Sequence, residues 1–323
     1  MSTTFEPAMS RERRSTIAAD DGTPLITREY GPETAQLTVI FAHGHCLSMQ
    51  SWDLQRAFLQ STFGPDVRLV FYDQRGHGES GSAAPDTMTI DQLGKDLDAV
   101  IRTVGSDAPI ALVGHSMGGM SILSWARQHP EKIGFPVVAA GLIATAACEL
   151  TGSGIARSLG NPLVLAATSV ARHAPWIMGA GRAVAGKACE HVIRQAAYGR
   201  APVHPRLVAC ANALINDTAS ETILGFLPAF AGLDETAGVR ALAQIPTMVL
   251  CGARDLMTPY AHSQNIADRL PLSDLVCVPD AGHMVILECA PVVSEAIVTL
   301  LERVRAGRRP LTLAPSEPPS VGA

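Results

Sequence analysis

The seven residues VGHSMGG (113–119) leave little freedom to the chain around them. An apolar run, PIALVG, leads into them, and MSILSWARQHPE, which reads as a helix, follows. Gly114 and Gly118 flank Ser116 at two positions either side, where any side chain would collide with the strand or helix packed behind a sharp turn. A buried strand that turns at once into a helix lifts the central hydroxyl above the carboxyl edge of a sheet, where open α/β sheets hold their sites.

The rest of the chain repeats the strand half of that pattern. STIAA and PLITREY, joined by Asp21-Gly22, read as a hairpin. LTVIFAHG (37–44), VRLVFYDQ (67–74), PIALVGHS (109–116), PVVAAGLIATA (136–146), PTMVLCGARD (246–255) and SDLVCVPDAGH (273–283) are short apolar runs ending in glycine or polar residues. Strands of this kind are buried on both faces and hence parallel. In TIDQLGKDLDAVIRTVG, Ile90, Leu93, Leu97, Val100 and Ile101 share a helical face, and Val293, Ile297, Leu300, Leu301 and Val304 do so in PVVSEAIVTLLERVRA. The expectation is an α/β domain with a mostly parallel eight-stranded sheet and helices on both faces.

Residues 148–240 break the alternation with Ala-, Gly- and Leu-rich helical segments. A connection normally takes about 4–6 residues, so this stretch is expected to be an inserted helical cap on a core formed by 14–147 and 241–306. Residues 1–13 and the Pro-rich tail 307–323 are expected to be disordered.

Composition narrows the function. At 47% apolar residues and a net charge of −5, the chain can bury a core but lacks the basic excess that a phosphate backbone demands. The seven cysteines form no CxxC pair, which argues against a disulfide framework and a zinc site. The first twenty residues contain no export-signal core, and PLVLAATSVA (162–171) is about half of the ~20 residues that span a bilayer. The expected location is cytoplasmic.

Five motifs in order carry a resemblance: HGHC (43–46), DQRGHGES (73–80), GHSMGG (114–119), GARD (252–255) and DAGH (280–283). With them the chain resembles the α/β-hydrolase superfamily over about residues 17–303, most weakly through the cap. The resemblance implies a nucleophile, acid, histidine order that falls here on Ser116, Asp255 and His283. It also implies an oxyanion hole built from the backbone N–H groups of His45 and Met117.

The residues support this assignment. A serine hydroxyl needs a base, and the base needs a carboxylate to fix its tautomer. His115 is too close to Ser116 on a tight turn to be that base and reads as packing. His283 and Asp255 each end a predicted strand at the edge where Ser116 emerges. Glu149 and Asp280 are the rival acids, Asp280 being a candidate brace for the histidine loop.

Other polar clusters read as structure. His43 is expected to bond loop backbone. His45 and Cys46 are expected to line the acyl side of the pocket, a polar departure for that position. Asp73 and Arg75 tie the DQRGHGES loop, and His77 is not expected to be catalytic.

In the cap, Arg157, Arg172, Arg182, Lys187, Arg194, Arg200 and Arg206 face a single acid, Glu190, interleaved with Leu163, Leu165, Trp176, Ile177 and Met178. This is either a solvated helical face or a cationic, apolar surface suited to peripheral contact with lipid. Pro175 and Gly179-Ala180-Gly181 form a flexible break inside it.

The expected activity is hydrolysis of carboxylic esters with hydrophobic acyl groups, such as monoacylglycerols, through an acyl-enzyme, with no metal or organic cofactor. Cofactor-free peroxidation, carbon–carbon bond hydrolysis, acyl transfer and a non-catalytic ligand-binding receptor are the alternatives. Oligomeric state is not legible.

Overall fold

The computed structural model describes residues 12–105, 108–152, 154 and 197–307. Its strands are β1 (Arg13–Ala18), β2 (Pro24–Tyr30), β3 (Leu37–Ala42), β4 (Val67–Tyr72), β5 (Ile110–His115), β6 (Val137–Ile143), β7 (Thr247–Gly252) and β8 (Ser273–Val278). They form one eight-stranded sheet in the order β1-β2-β4-β3-β5-β6-β7-β8. β1 and β2 pair antiparallel, as do β2 and β4; every pair from β4 to β8 is parallel.

The described helices are α1 (Asp53–Phe63), α2 (Ile90–Val104), α3 (Met117–Gln128), α4 (Pro205–Asp217), α5 (Ser220–Gly225), α6 (Leu227–Ala231), α7 (Thr236–Leu242), α8 (Tyr260–Ala267), α9 (Val285–Glu288) and α10 (Ala290–Ala306). The strand period of two deals the apolar runs between two cores. Val39, Phe41, Leu69, Phe71, Val113 and Leu250 pack with Leu59 of α1 and Ile297 and Leu301 of α10. Ile40, Val70, Leu112 and Val249 pack on the opposite face with Leu97 of α2, Ile122 of α3, Val239 of α7 and Ile266 of α8. Burial of each such side chain contributes about 1.5–3 kcal/mol.

α2 follows its sequence signal closely, with Thr89 as N-cap accepting from the Gln92 N–H. By contrast α1 has no clean apolar stripe. Its Gln55 is fully buried, and the side-chain amide donates to the Ile286 carbonyl at 2.8 Å.

The structure moves several expected boundaries. Arg13 already belongs to the sheet, opposite Glu29, so order begins before residue 14. The boundary expected at 240/241 cuts through α7, whose Val239 and Leu242 sit in the core beside α3. The strand runs also end early, at Ala42, Tyr72, His115, Ile143, Gly252 and Val278, because the polar residues after them form loops. The tails 1–11 and 308–323 and cap residues 155–196 lie outside the described residues. No helix among the described residues is long and apolar enough to cross a membrane.

A third apolar cluster joins the start of α2 and of α3 to Leu150 and the chain around α6. Met117 and Met120 of α3 and Met88, Ile90 and Leu93 near the start of α2 meet Leu150 and, from α6 and its flanks, Phe226, Phe230 and Leu233. This cluster abuts the turn that carries Ser116.

Candidate active site

The turn from β5 into α3 holds Ser116 at φ 53° and ψ −117°, a left-handed strain costing on the order of 1–3 kcal/mol for a side-chain-bearing residue. The glycines make it possible. A Cβ on Gly118 would lie 2.1 Å from the Ala42 carbonyl oxygen, and one on Gly114 would lie 2.4 Å from Gly118 itself. The Ser116 N–H donates to Ile143 at 2.9 Å and Thr145 Oγ1 donates to the Ser116 carbonyl at 2.7 Å, so the strained peptide is held from both ends.

Two further loops at the same sheet edge complete a chain of hydrogen bonds. Ser116 Oγ lies 2.9 Å from Nε2 of His283, and Nδ1 of His283 lies 2.8 Å from Oδ2 of Asp255. A carboxylate at Nδ1 keeps the proton there and leaves Nε2 as acceptor for the serine hydroxyl. Asp255 is buried. Its other partners are the N–H groups of Met257 and Thr258 on Oδ1 and the Thr258 hydroxyl on Oδ2, each at 2.8 Å. Burial raises its pKa, but the charge of His283 and these hydrogen bonds outweigh burial, and the carboxyl is held below its ordinary value.

The loop after β3 passes directly against the serine. A Cβ on Gly44 would stand 3.3 Å from Ser116 Cβ, and Gly44 opens a turn closed by the Leu47 N–H on its carbonyl at 3.2 Å. His43 anchors this loop: Nδ1–H donates to the Gly44 carbonyl at 2.7 Å, and Nε2 accepts from the Gln74 N–H at 3.0 Å. Burial pushes its pKa down to about 4, so the ring is neutral. Across the turn, Met117 is the first residue of α3, and helix geometry leaves its N–H without an intrahelical acceptor, at the positive end of the helix dipole.

Residues 39–296 match the α/β hydrolase family. The chain belongs to that family. Among relatives, a putative carbamate hydrolase, RutD, of Caulobacter sp. (strain K31) is 25% identical over 264 residues, covering 78% of this chain and 86% of that protein. The bifunctional esterase/perhydrolase DCH of Acinetobacter calcoaceticus is 33% identical over 128 residues, which is 39% of this chain and only 43% of that protein's length. A thermophilic esterase from Thermogutta terrifontis shares the fold at a TM-score of 0.68 and 24% identity, over 90% of this chain and 99% of its own.

In this α/β hydrolase, the His115 ring packs against that of His283, with centroids 5.1 Å apart, and among the described residues makes no hydrogen bond to Ser116. It is buried, and Nε2–H donates to the backbone carbonyl of His283 at 2.9 Å. Burial and then the neighbouring His283 push its pKa down to about 3. It is more than packing, because it ties the turn that carries Ser116 to the loop that carries His283. Glu149 is exposed, and the Asp280 side chain, also exposed, lies 3.9 Å from Arg254. His283 takes its carboxylate from Asp255.

His45 is half-buried, with its ring turned into an apolar surround. Its Nε2 lies 3.1 Å from the Ile223 carbonyl, and its ring meets those of Phe226 and Phe230 edge-on at 5.8 and 5.2 Å. Burial and the nearby His77 push its pKa down to about 3, giving a neutral, largely aromatic wall. Cys46 beside it is half-buried at φ 60°.

The DQRGHGES loop is tied by Asp73 and Arg75 as expected, each through its own partners. Asp73 accepts the N–H groups of Met49 (2.7 Å) and Glu79 (2.8 Å), and burial raises its pKa to about 6 against those bonds. Arg75 is fully buried and forks onto Asp96 at 2.6 Å, with Asp21 at 2.7 Å. His77 bonds the Arg75 carbonyl at 3.0 Å. Among the described residues no group of three His, Cys, Asp or Glu side chains is placed to hold a metal ion.

Sequence reasoning missed Thr258, Glu288 and the role of His115 in the histidine loop. The Glu288 carboxylate accepts the N–H groups of Gly282 and Gly199, each at 2.8 Å. Its only sequence signal is an acid five residues past His283. Of the cap's basic residues, Arg200 and Arg206 are exposed; Arg157, Arg172, Arg182, Lys187 and Arg194, with Pro175 and Gly179-Ala180-Gly181, lie outside the described residues.

Proposed function

We propose that this α/β hydrolase is a serine esterase that cleaves carboxylic esters of apolar acyl groups, monoacylglycerols among them, through an acyl-enzyme on Ser116. The observation that carries the reading is the continuous hydrogen-bonded chain from Asp255 through His283 to a strained, half-buried serine. In the attack, Ser116 Oγ bonds to the ester carbonyl carbon as its proton passes to Nε2 of His283. Asp255 holds the resulting imidazolium in place.

The carbonyl oxygen, now an alkoxide, takes hydrogen bonds from the N–H groups of His45 and Met117, each such donor worth about 2.7–4 kcal/mol. His283 then passes its proton to the departing alcohol. Water, deprotonated by the same nitrogen, attacks the acyl carbon and regenerates the serine. Every step is served by the chain's own residues.

Support for an apolar acyl group comes from the apolar cluster beside Ser116, where Met117, Leu150, Phe226 and Phe230 pack together and the His45 ring is uncharged. The esterase names of the Acinetobacter relative and the Thermogutta structure favour the same chemistry. The Acinetobacter relative is also a perhydrolase, which favours a second reading in which hydrogen peroxide replaces water in deacylation.

The test is fluorophosphonate labelling followed by turnover of a p-nitrophenyl ester series, a monoacylglycerol and acetate with hydrogen peroxide. The expected result is a label on Ser116, faster turnover of medium and long chains than of acetate esters, and a loss of about 10⁴-fold or more in Ser116→Ala. Wild-type ester cleavage by Ser116→Ala ends the reading. Peracid formation outpacing ester hydrolysis moves the assignment to the second one.

A further inference from the structure

The segment that returns from the cap is fastened to the histidine loop along its length. The Met284 N–H donates to the Ala197 carbonyl at 2.8 Å, and the N–H groups of Arg200 and Ala201 both donate to the Asp280 carbonyl, at 2.6 and 2.9 Å. Between these, Gly199 and Gly282 lie backbone against backbone. A Cβ on Gly282 would come within 2.4 Å of the Gly199 nitrogen, and one on Gly199 within 2.1 Å of the Asp280 carbonyl oxygen.

Both of these glycine N–H groups point at one side chain. Glu288, the last residue of α9, accepts the Gly282 N–H on Oε1 and the Gly199 N–H on Oε2, each at 2.8 Å. Gly282 is the residue immediately before His283. A carboxylate offers two acceptor oxygens in one plane, whereas a glutamine would turn a donor toward one of the two N–H groups. The two N–H groups are therefore matched by an acid at this position, and a shorter acid reaches them less well.

We propose that Glu288 is a positioning residue for the hydrolytic reaction. It locks the Ala281–Gly282 peptide, one step ahead of His283 in the chain, to the returning segment at Gly199, and so holds Nε2 at bonding distance from Ser116 Oγ. The proposal rests on the reading of Ser116 as nucleophile and His283 as its base. His115 holds the same loop from the other side through the His283 carbonyl, so the histidine is clasped through the Ala281–Gly282 peptide before it and the His283–Met284 peptide after it. Loss of one clasp leaves the fold and the substrate pocket in place and displaces the base, and displacements near 1 Å cost about 10²-fold in rate.

The experiment compares wild type, Glu288→Gln, Glu288→Asp and Ser116→Ala on a p-nitrophenyl ester, with enzyme concentration set by complete fluorophosphonate titration and thermal melts run in parallel. Glu288→Gln is expected to lose roughly 10- to 100-fold in kcat with KM changed less than twofold. Glu288→Asp keeps both oxygens on a shorter stem and is expected to fall between it and wild type. Wild-type kcat per titrated site in Glu288→Gln overturns the proposal, as does a loss that appears in KM alone. Should Glu288→Gln not fold, Glu288→Asp carries the same test, and wild-type kcat in it overturns the proposal. Persistent labelling and turnover in Ser116→Ala instead sinks the underlying reading of the site, so the two failures are told apart.

Discussion

The loops after β3, β4 and β5 and the loops after β7 and β8 meet at one sheet edge but are held in different ways. In the first group neutral imidazoles and a buried arginine stand beside a single N–H-gathering carboxylate, Asp73: His43 bridges Gly44 and Gln74, His77 bonds Arg75, Arg75 forks onto Asp96, and Asp73 accepts from Met49 and Glu79. In the second group the struts are carboxylates that gather backbone N–H groups, Asp255 from Met257 and Thr258, Glu288 from Gly199 and Gly282. An imidazole presents one donor and one acceptor and suits a bridge between unlike groups; a carboxylate suits converging donors. His283, in the second group, bonds a carboxylate on one side and a hydroxyl on the other, which sets it apart from His43, His45, His77 and His115. His43 lies 3.9 Å from Asp73, too far for a hydrogen bond, and takes its bonds from the backbone.

The comparison breaks first at Asp255. Asp255→Asn keeps the shape of the second group but removes the charge that fixes the His283 tautomer, and kcat on a p-nitrophenyl ester is expected to fall on the order of 10⁴-fold. The melting curve should change little, so activity and stability separate. A loss of only a few-fold would mean that His283 does not depend on this carboxylate.

Arg75 is the corresponding strut of the first group, and its loss should show in stability. Arg75→Met leaves Asp96 buried without its partner, an effect of about 3–5 kcal/mol, read as a lower midpoint in urea with kcat of the folded fraction retained. An unchanged midpoint would remove the buried pair from the account of how this loop is held.

The smallest effect sharpens the comparison by pH. His43, His45, His77 and His115 have pKa values lowered from 6.5 to between about 3 and about 4 by burial, so they stay neutral in the folded protein while the unfolded chain protonates. The unfolded state then binds more protons, and stability is full above pH 6.5 and falls as the pH drops toward 4. Asp73 acts oppositely, since its pKa is raised from 3.8 to about 6 and the folded state takes up its proton first. Each proton of difference contributes a slope of about 1.4 kcal/mol per pH unit. His77→Asn should reduce the slope of the urea-unfolding free energy by about that amount between pH 6 and 4. An unchanged slope would show that His77 is not held neutral.

Much of the site was legible because its residues sit where the apolar pattern stops. Ser116 follows a buried run and precedes a helical one, Asp255 and His283 close two further runs, and the glycines mark a turn that admits no side chain. The loop ties around Asp73 and Arg75 were legible as ties, though their partners Asp96, Asp21 and Met49 were not. α1 was not legible, because burial of Gln55 against Ile286 replaces the apolar stripe on which the reading depends. Glu288 was hidden for a related reason: its partners are backbone N–H groups, which every residue carries and no sequence distinguishes; Thr258 was hidden because only the turn after β7 brings its hydroxyl back onto Asp255.

The sequence by itself determined the alternating strand plan and the turn on which Ser116 stands, since periodicity and glycine placement are local properties of the chain, and its motifs singled out Asp255 and His283 for the same sheet edge. Only the tertiary structure decided that His45 stands as a neutral wall beneath Phe226 and Phe230, that α7 belongs to the core, and that His115 and Glu288 clasp the histidine loop. Those outcomes depend on which distant backbone groups arrive beside a side chain, and that is set by the packing of the sheet, with residues 168 positions apart brought to 2.9 Å. The turn Gly114-His115-Ser116 could be read in advance; the carbonyl awaiting His115 could not.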